Sequence, residues 1–373
     1  MRRPRRPTRP ELPTRLIVPN SQDPIRITSS DLQSPGVDEY VETQQWLTRD
    51  MDDSPNQPWL IRIIYANWFY LSFAAGLGGL CGWAILEPFF SDDPLAEDTV
   101  AALLMFPVVA GFIGLFLGAA EGFMCRNPGR AVTSGAVGLA TGFLGGLLAL
   151  IPTGIIFQLI GQVALSLQDG PLDEHSMPSG LALAVFMMGR GAAWAVASIP
   201  AGLGQGFALR EKRVIFNGLV GGVLGGLIGG VLFDPISMVL LTDDGEATYS
   251  RSVGFATIGL SVGLFVGLVE GWTKTAWLMM RVGPLAGKQF VLFKDTTVLG
   301  SSPKADVYLF KDDAIEPTHA IIYNRGGRFE IVDQNTPDGT YINGIPIKSQ
   351  LLQTGDQVIL GKTVLEFAVK DSD

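Results

Sequence analysis

Few residues in this 373-residue chain could do chemistry. Two histidines, His175 and His319, and two cysteines, Cys81 and Cys125, are too few for a multi-His metal site or a disulfide scaffold. No nucleophile–base pair, metal-ligand cluster or Gly-Lys-Ser/Thr phosphate loop is present, so no catalytic residue, cofactor or metal is expected and the chain does not read as an enzyme. What remains are polar groups within or at the ends of long apolar runs, where ionisable side chains are costly and functional by default. Glu121, Gln205 and Glu270 each close such a run. They read as an ion or proton site, or as interfacial residues paired with Arg126 or Lys274; their place at the run ends favours the pairing. Arg190 lies inside a run and is expected to snorkel to headgroups or meet an acidic loop, with no acid at mid-depth beside it. Gln158 and Gln162 are the other polar groups from which a path could be built.

The elements that must carry these groups follow from composition. The chain is 47% apolar and 17% charged, against about 25% charged in ordinary soluble domains, and its mean hydropathy is positive. A membrane protein is implied. The net charge of −9 gives no case for a nucleic-acid partner.

Three compositions succeed one another. Residues 1–58 hold nine prolines and start with six arginines in fifteen residues, without a following apolar core, so they read as a disordered basic tail, not a signal peptide. Val37 to Met51 has the spacing of a short amphipathic helix, and Thr8, Thr14 and Thr28 are modifiable hydroxyls in the tail. The arginine-rich start would be weakly attracted to anionic lipid.

Residues 59–276 carry six runs of the length a membrane span needs, about 20 residues: roughly 66–86, 100–120, 131–151, 184–206, 216–234 and 252–270. Thr153 to Leu167, after Pro152, is too short for a seventh and reads as interfacial or re-entrant. Bases fall in alternate links (Arg126, Arg130; Arg210, Lys212, Arg213; Lys274, Arg281), which places both termini in the cytoplasm of an inner or plasma membrane. Trp68, Phe69, Tyr70, Phe89 and Phe90 read as interfacial anchors. Shifting the chain by 84 residues lays Gly118, Gly122, Arg126, Gly138, Gly142 and Gly146 on Gly202, Gly206, Arg210, Gly222, Gly226 and Gly230, so three related helical hairpins are expected. Thirty-six of the 46 glycines lie here, in four-residue stripes. Such stripes let helices approach closely. They build either a homo-oligomer, with a pore or transporter as its use, or tight packing within one bundle, the commoner case.

Residues 277–373 change to short β-rich runs with regular turns, the pattern of a β-sandwich. Leu299-Gly300-Ser301-Ser302, Asp306-Val307, Thr318-His319-Ala320, Asp338-Gly339-Thr340-Tyr341-Ile342-Asn343-Gly344 and Gly355-Asp356-Gln357 occur in order. On these motifs the last hundred residues resemble a forkhead-associated (FHA) domain. The resemblance implies loops that read phosphothreonine on a partner protein, with the peptide-binding positions at Ser301, Ser302, Lys304, Glu316, Thr318, His319, Thr336, Asp338 and Asn343. It also implies altered chemistry. Ser301 stands where the family has Arg, Glu316 where it has Ser, Thr318 one place after its Arg, and Asp338 where it has Asn. A phosphothreonine brings close to two negative charges, for which a bidentate Arg is the natural partner. Lys304 and Thr336 are the residues placed to compensate.

The reading is a multi-domain chain: a cytoplasmic tail (1–58), a six-span Gly-rich helical membrane bundle (59–276) and a cytoplasmic FHA-like all-β sandwich (277–373). The expected role is a membrane-anchored protein-recognition adaptor or signalling protein. Its partners would be a cytoplasmic protein bearing phosphothreonine, membrane lipid and, if the stripes are used between chains, a second copy. A small transporter or channel regulated by the sandwich, or an oligomeric membrane scaffold, is the alternative.

Overall fold

A computed structural model describes residues 59–89, 99–170, 178–240 and 248–370. The tail helix expected at Val37 to Met51, the tail threonines, and Phe90 and His175 lie outside the described residues. A short α1 (Trp59–Ile64) precedes α2 (Asn67–Leu86), α3 (Thr99–Met124), α4 (Pro128–Ser166), α5 (Gly180–Ala197), α6 (Ile199–Leu209), α7 (Lys212–Leu240) and α8 (Thr248–Thr273). With α5 and α6 taken as one interrupted rod, six helices among the described residues are long and apolar enough to cross a membrane.

Two boundaries differ from expectation. The piece after Pro152 is not a separate interfacial segment: α4 runs unbroken through Pro152 to Ser166. A proline costs a helix one hydrogen bond, and the turns on either side of Pro152 keep the rest of the rod helical. The fourth run is interrupted at Ser198, and α6 restarts with Pro200 in its first turn, where the missing N–H costs nothing.

The glycines explain the packing. A Cβ at Gly138 would strike the carbonyl of Gly114, and one at Gly142 that of Ala110, so α3 and α4 touch backbone to backbone. Gly202 meets Gly218 and Gly226 meets Trp194 in the same way, between α7 and α5–α6, and Gly259 and Gly263 meet Ala75 and Leu71 between α8 and α2. These stripes are used inside the chain's own bundle. Trp194 and Phe255, ring centres 6.0 Å apart, anchor its apolar core. Gln158 and Gln162 are exposed and line no interior path.

Eleven strands follow: β1 (Ala276–Val282), β2 (Gln289–Val291), β3 (Thr296–Gly300), β4 (Val307–Tyr308), β5 (Ala320–Arg325), β6 (Arg328–Asp333), β7 (Thr340–Ile342), β8 (Ile345–Ile347), β9 (Ser349–Leu351), β10 (Gln357–Leu360) and β11 (Thr363–Val369). They form two facing sheets, ordered β2-β1-β11-β10-β7-β8 and β4-β3-β5-β6-β9. Alternating residues such as Leu278, Met280, Ile322, Ile331, Leu365 and Phe367 point inward and close the core. β1 begins three residues after α8 ends, so the sandwich is joined to the helices almost without a linker.

Candidate functional site

The β3–β4, β4–β5 and β6–β7 loops meet at one end of the sandwich, and short hydrogen bonds fix them there. Ser301 N–H donates to the Glu316 carbonyl at 2.9 Å and Ser302 N–H to the Pro317 carbonyl at 3.3 Å, tying the first loop to the second. His319, fully buried, is the hub. Its Nδ1 accepts from Glu316 N–H at 3.1 Å, and its Nε2 lies 3.0 Å from the Gly339 carbonyl, which binds the second loop to the third. Gly339 turns through φ +72°, a conformation a side chain would strain. The Thr336 hydroxyl donates to Asp333 Oδ1 at 2.8 Å and lies 3.2 Å from His319 Nε2.

This frame leaves Lys304, Glu316, Thr318 and Asp338 exposed and Ser301 and Ser302 half-buried on one surface. Of the nine expected positions, eight belong to this loop cluster. Asn343 does not: its amide donates to Asp356 Oδ1 at 2.9 Å and its carbonyl accepts from Gln357 N–H, closing the β7–β8 hairpin at the far end of β7. Asp333 is a frame residue that sequence reasoning missed. It accepts from both Thr336 and Thr340 hydroxyls at 2.8 Å. An Asp followed at three residues by Thr is the local pattern that could have flagged it.

A family profile for the FHA domain matches residues 297–361, the span of these loops and the strands between them. The chain is 41% identical over 93 residues to the oxoglutarate dehydrogenase inhibitor of Corynebacterium efficiens, covering 25% of this chain and 65% of that one. It is 38% identical over 101 residues to the protein so named in Corynebacterium jeikeium, covering 27% and 67%.

The C-terminal sandwich is an FHA domain.

The glycogen accumulation regulator GarA of Mycolicibacterium smegmatis is also similar, 39% identical over 100 residues, covering 26% of this chain and 63% of that protein. Just under two thirds of the C. efficiens relative is thus spanned, and the helical part lies outside the profile match. Among solved structures, the FHA domain of CT664 from Chlamydia trachomatis is 25% identical, covering 26% of this chain and all of that one, with a TM-score of 0.25.

The FHA domain is fastened to the helices beside its β3–β4 loop. Asn127, in the α3–α4 turn, donates to the Pro303 carbonyl at 2.7 Å, and Arg130 donates to the Asp306 carbonyl at 3.1 Å. Cys125, from the same turn, joins the sandwich's own apolar core at 2% exposure. Burial pushes its thiol up to about 11, so it is an inert packing residue. Lys288, between β1 and β2, is fully buried with its ammonium 4.9 Å from the Tyr70 ring centre. Tyr70 therefore turns inward beneath the FHA domain, whereas Trp68, Phe69 and Phe89 are exposed as expected of anchors.

The expected partners of the run-end carboxylates change as well. Glu121 pairs with Arg130 at 3.5 Å, not Arg126, and Glu270 accepts from Asn67 at 2.8 Å, while Lys274 donates to Gln289. Arg190 does find an acid, Asp234, at 2.8 Å. Asp234 lies not in a loop but within α7, at 1% exposure. The Phe157, Phe186 and Phe233 rings surround the guanidinium at 4.9–5.4 Å.

Proposed function

We propose that the protein is a membrane-anchored adaptor whose FHA domain captures a phosphothreonine-bearing segment of another protein at the cytoplasmic face. The observation that carries this reading is the loop end of the sandwich: three loops locked by His319 present Ser301, Ser302, Lys304 and Thr318 to solvent, on a domain joined directly to six apolar helices. A solved relative concerns phosphothreonine-dependent FHA domain interactions, and another is the FhaA FHA domain complexed with the intracellular domain of Rv3910. In this chain Lys304, with the serine hydroxyls, would take the phosphate in place of the missing Arg, and Glu316 and Asp338 would lower the affinity by like-charge repulsion.

The bases at the sandwich-side turns, Arg126, Arg130, Arg210, Lys212 and Arg213, support a cytoplasmic location for the FHA domain. Arg126 and Arg210 both take a left-handed conformation, φ 52° and 56°. The contacts Gly118–Ser134 and Gly142–Ala110 recur 84 residues on as Gly202–Gly218 and Gly226–Trp194, which supports related hairpins. Because these glycines are occupied within one chain, anchoring is favoured over an oligomeric scaffold.

The test uses the full chain in detergent and fluorescent phosphothreonine peptides of degenerate sequence with unphosphorylated twins. Binding that requires the phosphate and weakens in Lys304→Ala supports the adaptor. Equal binding of both peptide sets refutes phosphate reading.

A further inference from the structure

The loop end of the FHA domain is short of positive charge. A phosphothreonine brings close to two negative charges. The surface formed by Ser301, Ser302, Lys304, Glu316, Thr318 and Asp338 meets it with one ammonium and two carboxylates. The helices place a second base beside that surface. The α3–α4 turn lies against the β3–β4 loop: Asn127 donates to the Pro303 carbonyl at 2.7 Å, and Arg130 to the Asp306 carbonyl at 3.1 Å. Arg126 is the residue before Asn127. Pro303 is flanked by Ser302 and Lys304 and lies two residues from Ser301, at most about 7 Å of extended chain. An arginine rooted in this turn therefore stands at the edge of the loop that would receive the phosphate.

Neither the backbone nor an ion pair accounts for this side chain. Arg126 N–H donates to the Phe123 carbonyl at 3.0 Å and Asn127 N–H to the Gly122 carbonyl at 2.8 Å, the paired bonds that close a helix. That closure puts Arg126 at φ +52°, where glycine is the ordinary residue and a side chain adds strain. Glu121, the carboxylate nearest in the sequence, is paired with Arg130 instead. Among the described residues no carboxylate lies within ion-pair distance of Arg126, and its side chain is exposed. Topology alone can place a base at such a turn, and Arg210 is the counterpart for comparison. It closes α6 in the same way at φ +56°, but its turn is tied through Arg213 to Thr275, ahead of β1. The geometry points to Arg126 as a phosphate-binding residue: the α3–α4 turn forms a further wall of the peptide site and supplies, from the helices, the guanidinium that the sandwich lacks at Ser301. A guanidinium can grip a phosphate with two parallel hydrogen bonds, which Lys304 cannot. The inference rests on the phosphothreonine reading, and it makes docking of the FHA domain on the helices a part of recognition.

The full chain in detergent is titrated with fluorescent phosphothreonine peptides of degenerate sequence and with their unphosphorylated twins, at about 0.15 M salt, where charges more than about 8 Å apart are largely screened. Arg126→Gly removes the guanidinium and suits the left-handed turn, so it separates binding from folding. It should weaken the phosphopeptides about tenfold to a hundredfold, the loss of a charge-assisted contact, with the twins unaffected and no fall in melting temperature. Arg126→Lys keeps the charge without the planar fork and should lose less. Arg210→Gly removes the same charge from the same kind of turn and should bind as the wild type does. Wild-type affinity in Arg126→Gly, an equal loss in Arg210→Gly, or a loss that comes with a lower melting temperature would each overturn the assignment. A wild-type chain that binds both peptide sets equally refutes the phosphothreonine reading itself. A chain that reads phosphate and is indifferent to Arg126→Gly refutes only the role of Arg126.

Discussion

Replacing Asn127 by Ala should loosen the FHA domain from the helices by a calculable amount. The side chain does two jobs at 3% exposure. Its oxygen caps α4 by accepting from Arg130 N–H at 3.0 Å, and its amide donates to the Pro303 carbonyl at 2.7 Å. The cap is made whether or not the domain is docked, so its loss lowers helix stability without shifting the docking equilibrium; loss of the hydrogen bond to the shielded carbonyl costs the docked state about 1 kcal/mol. About 1 kcal/mol raises the undocked population about fivefold. Cys125 reports it. With its thiol near 11 while docked, the reactive thiolate is about one part in a thousand at pH 8, rising tenfold per pH unit up to that value. Once exposed, a thiol of ordinary pKa is about a quarter ionised at pH 8, so labelling proceeds through the undocked state. In a Cys81→Ser background, iodoacetamide labelling measured by intact mass should run about fivefold faster in Asn127→Ala. Identical rates would show that this turn does not hold the domain, and a reference rate equal to that of a free thiol would show that Cys125 is not covered at all.

Three further outcomes are expected. Ser301→Arg restores a guanidinium to the β3–β4 loop, and a charge-assisted contact of about 1.5–3 kcal/mol should tighten phosphothreonine peptides about tenfold to a hundredfold by fluorescence anisotropy. Unchanged affinity would mean the phosphate lies elsewhere. Arg190→Ala leaves Asp234 buried and unpaired, which should cost about 3–5 kcal/mol in thermal unfolding in detergent. Arg190→Leu/Asp234→Leu should recover most of that, and a double variant as unstable as the single would contradict the pairing. Gly138→Ala forces a Cβ onto the Gly114 backbone and should lower the melting temperature by several degrees. Gly154→Ala, with nothing within 4 Å, should leave it unchanged; equal effects would rule out the close α3–α4 approach.

What was legible in the sequence was what short stretches decide. Six apolar runs located six long helices because a span is defined by its own length and composition. The loop cluster of the FHA domain was legible because Gly300, His319 and Gly339 occupy fixed places in its turns. Long-range partners were not legible. Arg190 and Asp234 are 44 positions apart and meet only once α5 and α7 pack, so no acid was expected beside Arg190. Tyr70 has the composition of an interfacial anchor, and only the docked Lys288 turns it into a buried ring. Cys125 likewise gives no local hint that another domain's core will receive it. Pro152 misled for a related reason, since the single hydrogen bond that proline removes does not end a helix whose neighbouring turns are packed against α3 and α5.

The length of α4 has a mechanical consequence. Its 39 residues rise about 58 Å, close to twice the hydrocarbon depth of about 30 Å. Fitting it whole into that depth needs a tilt of about 60°, beyond the 0–40° of spanning helices. Standing upright, it would lift Ile155, Leu159 and Val163, an exposed stripe of one residue per turn, into water. Pro152 is where the rod lacks a backbone hydrogen bond and can bend. The part beyond it is not free to swing alone. Phe157 meets Phe186 edge to face, ring centres 5.4 Å apart, and Ile160 fills the space at Gly189. Bending α4 at Pro152 drags α5 with it, and with α5 the Arg190–Asp234 pair. In the membrane-anchored reading, bilayer thickness thereby bears on the Arg190–Asp234 ion pair.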